Sequence, residues 1–287
     1  MEEAGRGASD AAAPKATPGP YSTVAVVDTG LSAERLDDAV VLRGINLSGD
    51  GGEEDTADNN GHGTGVASTI LRFTPRAPLL PVKLMVDCGY LRWPDRLEAA
   101  FEWILERCTR LRIGVICATF ADGSRAIDDL PHRGSRLQVL IAALREAGVA
   151  TVAPAGNQYA QRRVSGDQGM AWPAILREVI SAGALAPLNG VPHLSPLTKR
   201  LHEQVGTGCH TTAFVEPGAP GDTSGAAAVV AGCLAALRGA HPDTTVDELV
   251  VELMHFRRDI MDGLSWPALD VRALLSHLSG SKPSHHP

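Results

Sequence analysis

The stretch that most limits what this chain can become is Gly221-Asp222-Thr223-Ser224-Gly225-Ala226-Ala227-Ala228-Val229-Val230-Ala231-Gly232, a polar turn running into an apolar segment of small side chains. Small residues on every side of a helix leave it no polar face, so residues 226–237 read as a helix passing through the centre of a domain. Ser224 stands at its start. There the free backbone N–H groups of the first turn and the positive end of the helix dipole stabilise negative charge, which a serine attacking a carbonyl requires. A lone serine at such a place is more simply an N-cap. The rest of the chain decides between these readings.

At 287 residues the chain is long enough to bury a substantial core, and residues 21–278 read as one domain between a flexible leader rich in Ala, Gly and Pro, 1–20, and a flexible polar tail, 279–287. A net charge of -7 without a long basic run argues against a nucleic-acid partner. The leader has neither a basic start nor an apolar stretch of the secretory kind, and no uninterrupted apolar run reaches membrane-spanning length. The expected setting is therefore the cytoplasm, without membrane association. The cysteines Cys88, Cys108, Cys117, Cys209 and Cys233 are odd in number and form no CxxC pair, so they are expected to be reduced and mostly buried.

Along the chain, short apolar runs alternate with helical patterns. Strands are expected over residues 21–27, 78–86, 113–120, 149–154 and 179–184, and helices over 66–73, 95–110, 135–147, 226–237, 246–257 and 270–278. Alternation of this kind implies an α/β fold with a mostly parallel sheet and helices on both faces. Residues 187–220 read as irregular. Asp28 ends the first strand, where sites collect in open α/β sheets, and His62 sits between two glycines at a helix start. Asn157 closes the strand ending at Pro154, either as a turn residue or as a donor to a developing oxyanion.

Val-Val-Asp28-Thr-Gly, Gly-His62-Gly-Thr-Gly-Val-Ala, Ala-Gly-Asn157 and Asp-Thr-Ser224-Gly-Ala, taken in that order, resemble the subtilisin-like serine proteases. The resemblance spans residues 21–278 and implies that family's three-layer fold. It also implies a peptide or protein substrate and roles for each residue: Ser224 as nucleophile, His62 as general base and then acid, Asp28 as the partner fixing the imidazole, and Asn157 with the Ser224 N–H as oxyanion donors. Ala118, Thr119, Phe120 and Ala121 would form the substrate-pairing edge, and Ala153, Pro154, Ala155 and Gly156 the facing wall of the first specificity pocket.

The chain departs from the family pattern at several places. Asp222 stands where the family has glycine, Gly65 where it has a second histidine, Ala228 where it has proline, and Ala121 where its substrate strand has glycine. A carboxylate at Asp222 would either oppose charge developing on an oxyanion or point to solvent or to a cationic substrate group; Ala121 would narrow the cleft. The connection over residues 72–78 lacks the insertion that carries calcium in many relatives, so no metal and no cofactor are expected. His193, His202, Cys209 and His210 match no usual zinc spacing. The leading expectation is a serine endopeptidase that matures a precursor peptide. Its rivals are a catalytically dead peptide-binding relative and a transpeptidase or macrocyclase using the same triad.

Overall fold

The computed structural model describes residues 22–159 and 168–280, so the leader and most of the tail lie outside it. The first half of the chain contains β1 (Thr23–Asp28), β2 (Ile45–Asn46), α1 (His62–Leu71), β3 (Leu79–Lys83), α2 (Asp95–Leu105), β4 (Ile113–Ala118), α3 (Arg136–Glu146) and β5 (Ala150–Pro154). The second half adds β6 (Val179–Leu188), β7 (Val191–Leu194), β8 (Ala213–Val215), α4 (Asp222–Ala240), α5 (Val246–His255), β9 (Arg257–Asp262), β10 (Leu264–Leu269) and α6 (Val271–Leu278). The strands run in the order β2-β3-β1-β4-β5-β6-β8-β10-β9, parallel from β2 to β10, while β9 and β7 are antiparallel additions to β10 and β6.

The two-residue period of β1 shows how three layers arise. Val24 and Val26 face a core shared with α1, α4, α5 and α6, whereas Ala25 and Val27 face a second core shared with α2 and α3. In α4 the small residues let the helix lie against β4, β5 and β6 at once. A methyl added at Gly225 would meet the Gly218 carbonyl oxygen at 2.1 Å. By length and composition α4 could cross a bilayer, yet 78% of its most apolar window is buried in the fold.

Two segments differ from the sequence expectation. Residues 187–220 hold strands β7 and β8: β6 runs on to Leu188 and turns back through Asn189 and Gly190, whose φ angles of 53° and 77° suit a two-residue hairpin. The β9–β10 hairpin was not foreseen because β9 is an edge strand with an exposed, charged sequence that gives no apolar period. The helix carrying His62 begins at His62 itself, the helix start expected for that residue.

What fixes that helix start is Asp58. Its buried carboxylate accepts the backbone N–H groups of Asn60 (3.1 Å), Gly61 (2.8 Å) and Thr64 (2.8 Å) and the hydroxyls of Thr64 (2.5 Å) and Thr29 (2.8 Å). The Thr29 hydroxyl in turn accepts from the Gly63 N–H at 3.0 Å. Gly63 packs directly on the end of β1: an added Cβ would lie 2.2 Å from the Gly30 carbonyl oxygen and 3.1 Å from Asp28 Cβ. Gly63→Ala should therefore destabilise the fold by about 1–3 kcal/mol in urea unfolding, because the clash falls on backbone that cannot swing away.

Burial opposes the charge on Asp58, but its hydrogen bonds outweigh that and hold the carboxyl below its ordinary range. A depressed folded-state value adds stability that is complete above roughly pH 4 and disappears as pH falls through it. Urea titrations across the acid range should accordingly show a steeper loss of stability for the wild type than for Asp58→Asn. Equal slopes would show that this carboxylate contributes nothing to the acid limb.

Candidate active site

The carboxyl ends of β1, β4 and β5 and the amino ends of α1 and α4 meet at one cleft of about 460 Å3. Asp28, the last residue of β1, has no exposed surface. Its carboxylate accepts from the Thr29 N–H at 2.6 Å and from the Thr119 hydroxyl, and both oxygens lie against His62 Nδ1, at 2.8 and 2.9 Å. With Nδ1 facing a carboxylate, the imidazole is held as the Nδ1–H tautomer and Nε2 keeps its lone pair. Burial works against the imidazolium, but the hydrogen bond to Asp28 and the charges of Asp28 and Asp58 prevail, so His62 titrates above the ordinary histidine value.

His62, Ser224 and Asn157 all line this cleft. Neither His62 Nε2 nor the Ser224 hydroxyl has a hydrogen-bond partner among the described residues. Asn157 is oriented by Thr223: the N–H of Thr223 donates to Asn157 Oδ1 at 3.2 Å and its hydroxyl at 2.8 Å. Oδ1 is thereby turned toward the first turn of α4, and the amide nitrogen is the donor left to a ligand.

Of the expected substrate-edge residues, Thr119, Phe120, Ala121 and Pro154 line the cleft. Ala118, Ala153 and Ala155 are fully buried, the first two in the core over α2 and α3 and Ala155 in a small cluster with Met170 and Leu201, and Gly156 is buried behind the wall. The alternation of a strand explains this: in a sheet covered on both faces, side chains next to a site point into the core layers. Further lining comes from Met85, Tyr90, Leu91 and Trp172, which are spread over loops and have no local pattern in sequence.

Asp222 adopts φ 43° at the first position of α4, and its side chain is exposed and outside the cleft lining. A Cβ at Gly65 would meet Ala219 and Pro220 only at ordinary contact distances of 3.6 Å and more. All five cysteines are free, four of them buried and Cys88 exposed. Both ring nitrogens of His202 are engaged, by the Ser265 carbonyl at 2.9 Å and the Gln204 N–H at 3.2 Å, and no group of three ligating side chains gathers among the described residues.

The subtilase family model (peptidase S8) matches residues 19–277. The "Major intracellular serine protease" of Bacillus subtilis (strain 168) is 28% identical over 205 residues, 65% of this chain and 58% of that protein. The chain thus spans less than two thirds of that relative's length. Sphericase superposes with a TM-score of 0.65 at 22% identity, over 82% of this chain and 83% of its own. S41 psychrophilic protease gives 0.65 at 20% identity over 83% and 84%, and a chain from the subtilase cytotoxin SubAB assembly 0.65 at 19% over 91% of each. At such identities these structures speak for the shared three-layer fold. A family match running from before β1 into α6, over a mostly parallel sheet covered by helices on both faces, makes this chain a member of the subtilase family.

Proposed function

We propose that the chain is a serine endopeptidase that hydrolyses peptide bonds through Asp28, His62 and Ser224. The observation that carries the reading is the buried Asp28–His62 pair, with its two contacts of 2.8 and 2.9 Å, beside a cleft that Ser224 and Asn157 also line. Family membership supports serine peptidase activity in general; the roles of individual residues are part of the proposal.

In this mechanism Asp28 keeps the proton on Nδ1, so that Nε2 can take the proton of the Ser224 hydroxyl as its oxygen attacks the substrate carbonyl. The oxyanion forms against the Ser224 N–H and the Asn157 amide. His62 then passes its proton to the leaving amine, the C–N bond breaks, and water repeats the sequence on the acyl-enzyme. The substrate is a peptide in extended form, entering beside Phe120 and Ala121. A cleft with the Ala121 methyl at its edge suits a restricted set of sequences, such as the junction in a precursor peptide. Five unpaired thiols suit a reducing compartment and thus a cytoplasmic setting.

A fluorophosphonate should add its mass to Ser224 in the wild type and not in Ser224→Ala. Folded wild-type protein that takes up no label would refute the proposal and favour a peptide-binding relative. Product mass separates hydrolysis, which adds a water, from cyclisation or transfer, which does not. Asn157→Ala should lower kcat by about 100- to 1000-fold, the usual effect of removing one oxyanion donor.

The base must be neutral to act, so kcat/KM should fall as pH drops through the His62 value. The midpoint of that acid limb is expected above the ordinary value of about 6.5, measured on a peptide substrate. Asp222→Gly should change kcat/KM by less than about threefold, since the carboxylate stands outside the cleft lining. A rise of tenfold or more would show that it opposes the oxyanion.

A further inference from the structure

Lys199 is 2% exposed, and its amine ends against the turn at residues 122–124. Nζ donates to the carbonyl oxygens of Ser124 at 2.6 Å and Asp122 at 3.3 Å, while the Lys199 backbone N–H donates to the Gly156 carbonyl at 2.7 Å. The lysine methylenes also fill the space behind Gly156: a Cβ there would lie 2.9 Å from Lys199 Cδ and 2.8 Å from Ala171 Cβ. Asp122, Gly123, Pro154 and Asn157 all line the cleft. The Asp122–Ser124 turn is further sewn to Trp172, whose N–H donates to Asp122 Oδ1 at 2.8 Å and Ser124 Oγ at 3.0 Å and whose carbonyl accepts from the Asp122 N–H at 3.0 Å.

A lysine is an unfavourable filler for this place, because its ammonium is taken out of water and its long stem is frozen. Methionine would occupy a similar volume without a charge to desolvate. The ammonium alone can grip two carbonyls of a loop that has left the β4 ladder. We propose that Lys199 is a positioning residue that fixes residues 122–124 against residues 156–157, and so sets the width of the pocket for the substrate side chain preceding the scissile bond. The inference rests on the peptidase reading. Lys199 touches no reacting group, so its removal acts on substrate binding and selection and not on attack by Ser224.

Lys199→Met keeps the length and apolar volume and removes the ammonium. Its KM for peptides should rise about tenfold with kcat held within about threefold, and its ranking of side chains before the cleaved bond should change. Amide hydrogen exchange should quicken over residues 119–126 and 154–159. Lys199→Arg, which retains charge and donors, should recover most of the KM. Exchange and KM equal to wild type in folded Lys199→Met would overturn the proposal, as would an arginine variant no better than methionine. Should the methionine variant not fold, Lys199→Gln, with one amide donor, is read by the same measures. The exchange comparison needs no substrate, so absence of all cleavage would sink the peptidase reading while exchange still decided the brace.

Discussion

Burying a carboxylate without donors around it is strongly unfavourable, and Asp28 is wholly buried at the end of a central strand. The fold answers with the N–H of Thr29 from the following turn, the hydroxyl of Thr119 just beyond β4, and Nδ1 of His62 from the start of α1. Three separate pieces of chain are brought together by one side chain. The close contact of Gly63 with Gly30 and Asp28 is the steric condition for this, because a larger residue would hold α1 off the sheet and break the contact between Asp28 and His62. Asp58 then ties the turn before His62 to Thr29, so the acid that orients the histidine and the acid that orients its helix share one hydrogen-bonded network.

The parts of this arrangement legible in sequence were those with local signatures. Val24-Ala25-Val26-Val27 ending at Asp28 is a buried parallel strand meeting a polar turn, and the small-residue run after Ser224 fits a helix inside the domain. The parts not read depended on distant partners or on signals set aside. Asp58 looks like one more polar residue of a loop, although an acid shortly before a helix start was a capping signal available in the sequence. The Asn189–Gly190 pair was a hairpin signal in a segment read as irregular, while β9 and β10 hold their places by pairing at the sheet edge and have no strong pattern of their own. Lys199 could not have been read at all, since its acceptors are backbone carbonyls some 75 residues earlier.

The departures from the family pattern acquire different weights once placed. Asp222 sits in left-handed backbone, a region that glycine enters freely and that aspartate enters more readily than most other residues. Its charge lies at the positive end of α4, so the dipole offsets part of the strain. Ala121, by contrast, lines the cleft and, on the proposed peptidase reading, adds a methyl where peptide would pass. On that reading selectivity, more than the reacting groups themselves, is the property these substitutions would touch.

Two buried lysines brace loops beside the cleft, and each does so through main chain. Lys83, at the end of β3, donates to the Ala57 carbonyl at 2.8 Å and to Asp87 at 2.7 Å, whose other oxygen accepts from Asn59, so it steadies the approach to His62. Lys199 does the same for the cleft rim at residues 122–124 through the carbonyls of Asp122 and Ser124. Loops at the carboxyl ends of parallel strands leave their carbonyls without ladder partners, and a cation can gather several of them at once. An ammonium on a flexible stem, anchored in the strand or loop behind, supplies this without an ion that could be lost. The surrounding layers of sheet and helix provide the burial that makes each of these grips strong.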